Sequence, residues 1–468
     1  MEPFATLPEM LEKLDGVLEM DAAGSCHIKD LETLRGPLLD RLTWTAVFGD
    51  GEIQDAARWI IRAAAGAAGV LPWSIQRIYE VMGQGELAGC TVPAFNLRGA
   101  TYDMARALFR AARRVGSSLF LCEIARSEMG YTEQRPAEYA TCVLAAGLRE
   151  GWQGPVFIQG DHFQLKAANY FQDPEAETVA IRELCREAIQ AGFYNIDIDS
   201  STLVVLERPT VLEQQRDNYE RCAELTAYIR EIEPAGVTVS VGGEIGEVGG
   251  KNSTVEEFVA FMEGFQGELE SRRPGATGIS KISVQTGTAH GGIPMPDGSI
   301  QEVAVDFDVL RDITEVGRRK YAMGGTVQHG ASTLPEELFD RFPQYQALEI
   351  HLATQFQNLF FEAPTFPTGL REEMYAWIRE SLSGEFKGSL TGEQNIYKTR
   401  KKAWGPFKHQ IWSLDESISG PIFEALEQKF QLLFDKLGGG RTREAANRFL
   451  EPMVVPVPPP TALQEALG

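Results

Sequence analysis

Cysteine and histidine are scarce in this chain, and long hydrophobic runs are missing. Six cysteines in 468 residues (Cys26, Cys90, Cys122, Cys142, Cys185, Cys222) make no CxxC pair, and in a chain this large they read as buried thiols of a reducing compartment. No stretch of about 18 or more apolar residues occurs, which excludes a transmembrane helix. The opening MEPFATLPEM has neither a basic start nor an apolar core, so no secretory signal is expected and the cytoplasm is the expected location. Basic residues are outnumbered 44 to 66, and the formal net charge of −22 argues against a nucleic-acid or anionic-membrane partner, whose phosphates would be repelled. No GxGxxG follows the first strand-like run, which weakens the reading of a doubly wound dinucleotide-binding sheet.

What is present is an alternation. From Thr91 onward, short continuous apolar runs recur eight times: TVPAFN (91–96), SLFLCE (118–123), PVFIQGDH (155–162), YNIDIDS (194–200), TVSVGGEIG (238–246), ISKISVQTG (279–287), YAMGGTVQH (321–329) and ALEIHLAT (347–354). Such runs suit strands of a parallel sheet covered on both faces. The segments between them carry helix periodicity. Met104, Leu108, Ala112 and Val115 share one face, Asp173–Pro174 caps and opens a helix bearing Ile181, Leu184 and Ala188, and Asp306 opens another with Leu310, Ile313 and Val316. Eight strand–helix units in roughly 270 residues predict a closed (β/α)8 TIM barrel. Residues 1–88 show helical spacing without strand signals and are expected to be a helical N-terminal extension. The barrel is expected over 89–368 and a helical C-terminal extension over 369–450. The Pro-rich PMVVPVPPP opens a tail, 451–468, that need not pack.

Four of the six histidines end apolar runs: His162, His290, His329 and His351. Barrel enzymes carry their sites at the carboxyl ends of the strands. Those ends read, in turn, Asn96, Glu123, Asp161–His162, Asp199, Glu244, His290, His329 and Glu349/His351. Imidazoles at 162, 290 and 329 can converge on one cation, and three protein nitrogens with an open position suit catalytic Zn2+. Co2+, Mn2+ and Fe2+ accept the same ligand types. Glycines flank each of these histidines (Gly160, Gly291–Gly292, Gly330) and let backbone and substrate approach closely. Asp161 stands beside a ligand without needing to be one, which suits a general acid/base.

Taken in order, GDHF, IDIDSS, GGEIGEVGG, GTAHGG and VQHGAS resemble the motifs of the class II (metal-dependent) ketose-bisphosphate aldolases, over about residues 90–365. The opening VPAFN and the later VDFDVLRDI resemble them too. GYT followed by RPAEYA, FQDPEAET and ALEIHLATQFQNLFF are similar to the tagatose-bisphosphate aldolase Z-subunit branch. By position the resemblance implies metal ligands at His162, His290 and His329, with Glu244 at an alternative metal position. It implies that Asp161 exchanges a proton with the C4 oxygen, and that Asn96 and Asp199 shape the pocket for a small sugar or sugar phosphate. A divalent cation on the C2 carbonyl and C3 oxygen would stabilise the enediolate left when C3–C4 breaks.

The departures are specific. Where the family usually carries GGEED, whose second Glu handles the carbon-bound proton, the chain has GGKNS with Lys251 and Asn252. The family's phosphate-binding serine after the second strand falls on Ala125. GAST keeps Gly330 and Ser332, and the family's NxDT becomes Glu349–Ile350–His351–Leu352, whose first carboxylate would repel a phosphate dianion unless a cation intervened. The parent expectation is a carbon–carbon lyase of the aldolase type. Without the proton donor, re-addition of a rotated aldehyde predicts a ketose 4-epimerase instead. A non-catalytic stabilising subunit would need none of the histidines, and a Schiff base on Lys281 would leave them unexplained. The basic stretch 397–408, with Lys398, Arg400, Lys401, Lys402 and Lys408, is expected over a barrel mouth, and a homo-oligomer is expected from the resemblance.

Overall fold

The computed structural model describes residues 1–246, 250–288, 305–440 and 442–468. Its strands are β1 (Leu18–Met20), β2 (Cys26–Ile28), β3 (Val70–Pro72), β4 (Val92–Asn96), β5 (Leu121–Ala125), β6 (Gly154–Gln164), β7 (Asn195–Asp199), β8 (Ser240–Glu244), β9 (Lys281–Val284), β10 (Gly325–Gln328) and β11 (Glu349–Leu352). From β4 to β11 each strand pairs in parallel with the next, and β11 pairs back onto β4, Ile350 opposite Pro93. The sheet closes into an eight-stranded parallel barrel, the (β/α)8 arrangement expected from the alternation. Every residue of β4, β5, β7 and β8 is buried, because the lumen is filled and helices cover the outside. This is why the runs are apolar without a polar alternation.

The helices begin where the sequence signals them. Asp173 Oδ1 accepts from Ala176 N at 3.0 Å and Pro174 opens the helix Pro174–Ala191, where its missing N–H costs nothing. Asp306 precedes Phe307–Tyr321, and Thr101–Val115 buries Met104, Leu108 and Ala112.

Residues 1–88 are not purely helical. β1 and β2 form an antiparallel hairpin, and β3 pairs in parallel with the start of β6, Val70 opposite Gly154. Each of these strands has three residues, too short for a period-2 pattern to register. The helix Gln76–Gly83 then closes the lower end of the barrel: Ile75, Ile78, Tyr79 and Met82 pack with Val92, Leu121, Phe157 and Leu348 near the starts of the barrel strands. The Pro-rich tail, whose composition does not require packing, does pack. Trp59 Nε1 donates to the Val457 carbonyl at 2.8 Å, and the helix Thr461–Leu467 buries Leu463 completely.

The C-terminal helix Glu416–Lys436 lies on Thr101–Val115. Beyond it, Leu437 O accepts from Thr91 N (2.9 Å), and Thr442 Oγ1 accepts from Ser118 N and Leu119 N (3.0 and 3.2 Å). The stretch between 397 and 412 is tied to the loops after β4 and β5. Gly405 N donates to Tyr131 O (3.0 Å), Lys408 Nζ to Glu133 O (2.9 Å) and Trp412 Nε1 to Gly99 O (3.0 Å). Gly99 has φ +85°, and a Cβ there would lie 2.2 Å from the Trp404 ring, so only glycine lets this segment seat.

Candidate active site

A cavity of about 460 Å³ opens at the carboxyl ends of the barrel strands. Asn96, Glu123, Asp161, His162, His329 and His351 form its floor, with Gly330 and Ser332 beside them.

Strand β6 does not stop at Asp161–His162 but runs on to Gln164. Its pairing with β7 slips between Gly160 and Phe163: Gly160 faces Ile196 while Phe163 faces Ile198. The extra residue is a bulge, and His162 adopts φ +40° within it. Consecutive residues of a regular strand point to opposite faces. Here the bulge turns both Asp161 and His162 to the mouth, where both line the cavity. A Cβ on Gly160 would fall 2.4 Å from the Phe163 ring, so the glycine before the pair is what permits the slip.

His162 Nδ1 lies 3.1 Å from Asp199 Oδ2 and 3.3 Å from Glu244 Oε2. Asp199 also accepts from Gln164 Nε2 (2.5 Å) and Ser201 Oγ (2.7 Å), so Asp199 and Glu244 stand behind the imidazole. His329 packs beside it, ring centroids 4.4 Å apart, with Nε2 3.0 Å from Ser283 Oγ. His351 follows, 4.2 Å from His329. Its Nδ1 lies 3.0 Å from Glu123 and 3.2 Å from Asp161, and its Nε2 lies 2.6 Å from Glu349.

Burial opposes ionisation of Asp161, but the His162 and His351 imidazoles outweigh it and hold the carboxyl well below its usual range. Burial, followed by Asp199, pushes Glu244 up to about 7. Burial also pushes Glu123 up to about 7, with His351 opposing and Asp161 adding.

Ligand atoms of Asp161, His162 and His329 lie within 4.8 Å of one another, as do those of His162, Asp199 and Glu244. Clustered imidazoles and carboxylates fit a divalent ion, so the residues present suit the metal that the motifs imply. His290 and Gly291 fall outside the described residues, as does Glu247, the nearest alternative carboxylate after Glu244.

Other expected contacts sit differently. Glu349 is fully buried and does not line the cavity. It accepts from the Tyr79 hydroxyl, Gln159 Nε2 (3.0 Å) and Lys281 Nζ (2.5 Å). Lys281 is thus the cation that neutralises the carboxylate on the eighth barrel strand. It also holds Asp197 at 2.9 Å and is itself fully buried. Burial works against its charge, but Asp197 and Glu349 raise the ammonium above its usual range, which does not suit a Schiff-base nucleophile. Asn96 Nδ2 donates to Glu128 Oε2 (2.5 Å), and Glu128 also holds Arg98 and accepts from Ala125 N (2.9 Å). Ser332 Oγ accepts from Ala353 N (2.8 Å) and Thr354 N (3.2 Å).

Sequence reading missed Arg98, Glu128, Gln159, Asp197 and Tyr79. On the third and fourth barrel strands, Gln159 and Asp197 stand two residues before Asp161 and Asp199, a spacing that puts each pair on one side of its strand. That spacing is the signal that was available.

The profile of the family described as fructose-bisphosphate aldolase class-II matches residues 76–402. Among solved structures, a probable tagatose 6 phosphate kinase from Sinorhizobium meliloti 1021 is similar at 16% identity and TM-score 0.52, covering 78% of this chain and 95% of that one. Fructose-bisphosphate aldolase Fba from Campylobacter jejuni is similar at 18% identity and TM-score 0.47, covering 80% and 97%. The glycerol-complexed fructuronate-tagaturonate epimerase UxaE from Cohnella laeviribosi is similar at 13% identity and TM-score 0.49, covering 82% and 85%. At such identities the structural likeness concerns the fold alone. The profile, however, spans well over half of the sequence and carries the histidines and Asp161 with it, and by that match this chain belongs to the class-II fructose-bisphosphate aldolase family.

Proposed function

We propose that the chain catalyses reversible, metal-dependent aldol cleavage of the C3–C4 bond of a ketose. The observation that carries this reading is the β6 bulge, which delivers Asp161 and His162 to one cavity beside His329. His162 and His329, with Glu244 and Asp199 behind His162, would hold the divalent ion, and zinc suits these ligands best. When bound, the ion supplies Lewis-acid polarisation of the ketose carbonyl. Asp161, held as a carboxylate, takes the proton from the C4 hydroxyl. The C3–C4 electron pair stays with the C3 fragment, and C4 becomes an aldehyde. In the reverse direction Asp161 returns its proton to the C4 oxygen as the bond re-forms. His351, 3.2 Å from Asp161, orients the carboxylate.

A second reading, ketose 4-epimerisation, has its own support. At the positions where the motifs place the donor for the carbon-bound proton, Lys251 pairs with Glu257 at 2.7 Å and Asn252 Nδ2 donates to Asp306 at 3.0 Å. Neither lines the cavity. A C3 fragment left unprotonated recaptures the aldehyde, and a turned aldehyde gives the C4 epimer. Following one ketose by carbon NMR, while coupling released triose to a reporter dehydrogenase, separates the two. Fragments without epimer support cleavage, epimer without free fragments supports the second reading, and neither product from a broad ketose panel overturns both.

Metal removal is a separate test. Chelation should abolish turnover, and zinc, cobalt or manganese should restore it, with about one tight ion per chain by elemental analysis. His329→Ala should lose that ion and keep its circular dichroism, because a residue at the barrel mouth supports no core layer. Full activity in a metal-free preparation would sink the reading.

A further inference from the structure

The cavity has a second chemical character besides its imidazoles and carboxylates. Arg98, Arg126, Lys166, Lys398 and Lys401 also line it, in a chain whose net charge is −22. Two of these cations are already matched, Arg98 by Glu128 and Arg126 by Glu177. Among the described residues, Lys166, Lys398 and Lys401 have no carboxylate at ion-pair distance. The contrast within one short segment is informative. Arg400 is paired with Glu362, Lys402 with Glu385 at 2.5 Å and Lys408 with Glu138 at 2.6 Å. Only the two lysines of that segment that face the cavity are left unmatched. Lys401 is half-buried, and burial first, then Arg98, pull its ammonium below the ordinary range. An anion brought beside it would reverse that loss.

The segment cannot drift from the mouth, since Trp404 is seated against Gly99 and Gly405 is bonded to Tyr131. A cavity of about 460 Å³ has room for a six-carbon chain and one charged terminus. The end of the second barrel strand adds Ala125 to the lining, which has no side-chain donor.

We propose that Lys398 and Lys401, with Lys166 of the same cavity lining, form a subsite for the anionic terminus of the substrate, a carboxylate or phosphate on the end of the ketose away from the carbonyl. This rests on the ketose reading above. It adds that lysines of the C-terminal extension, and not the barrel alone, select the charged end.

Calorimetric binding to the metal-loaded full chain tests this without turnover. The probes are fructose, fructose 6-phosphate and fructuronate, with the wild type, Lys398→Met/Lys401→Met, the exposed charge reversal Lys398→Glu, and Lys402→Met as a control outside the cavity. At least one anionic probe should bind about 10-fold or more tightly than fructose. The double variant should erase that preference, Lys398→Glu should weaken the anionic probe alone, and Lys402→Met should leave all three affinities in place. The anionic probe that loses more names the group recognised. No preference for either anionic probe, or a preference that survives Lys398→Glu and the double variant, overturns the subsite. So does an equal loss for fructose. Lys398→Glu keeps the test decisive if the double variant misfolds. A chain that binds anionic ketoses through these lysines but converts none of them would leave the subsite standing and remove the proposed reaction. Turnover of ketoses with indifferent lysines would do the opposite.

Discussion

Asp161→Asn should bind metal and ketose as the wild type does and lose turnover by roughly 100-fold or more, the usual scale of a missing general acid/base. The substitution keeps shape and removes only the ability to carry a proton. Its effect should appear in kcat, with KM little changed, because the same side chain neither holds the ion by itself nor reaches the charged terminus of the substrate. Elemental analysis would show the ion retained, and single-turnover kinetics would locate the loss in the chemical step. Near-normal turnover would transfer the role to Asp199 or Glu244. Their position behind His162, each within 3.3 Å of Nδ1, makes that outcome unexpected.

The second large effect concerns stability. Lys281→Met should destabilise the protein by about 3–5 kcal/mol, because it strands the Glu349 and Asp197 carboxylates in the barrel interior. Lys281 and Glu349 are both fully buried, so water cannot replace the lost ammonium. The pH dependence gives the loss a signature. With the lysine gone, Asp197 rises further above its unfolded-state value, and Glu349, which burial pushes up but Lys281 and His351 together hold down to about 2, is left with the imidazole alone. The folded form then binds more protons, and the deficit is full at high pH and shrinks as pH falls through the raised Asp197 value. Asp197 is already pushed up to about 6 in the wild type, by burial first, with Lys281 opposing and Glu349 adding. Denaturant midpoints should therefore recover between about pH 8 and about pH 6, and Lys281→Met/Glu349→Gln should regain much of the loss at either pH. An unchanged midpoint in the single variant would mean that these charges are matched some other way.

The barrel was legible because its strands are buried on both faces and so leave continuous apolar runs. The helix starts at Asp173 and Asp306 were legible because capping is a local event. Asp161, His162 and His329 could be picked out because they end or interrupt such runs beside glycine. The same logic misplaced Glu349. It begins a strand rather than ending one, and its partners Tyr79, Gln159 and Lys281 come from three distant stretches that local pattern cannot join. The bulge in β6 was invisible for a related reason: whether a strand slips depends on its neighbour, here β7. The hairpin and β3 near the amino terminus were lost to brevity, and the packed tail was lost because proline-rich composition says nothing of an indole waiting to donate to it.

The bonds from Leu437 and Thr442 back to Thr91, Ser118 and Leu119 bear on how the chain is made. Domains of many proteins condense one after another as they leave the ribosome. Here the first two barrel strands are flanked by amide donors whose native acceptors are synthesised more than 300 residues later. The nascent barrel therefore waits with those amides still facing solvent until Leu437 and Thr442 have left the ribosome.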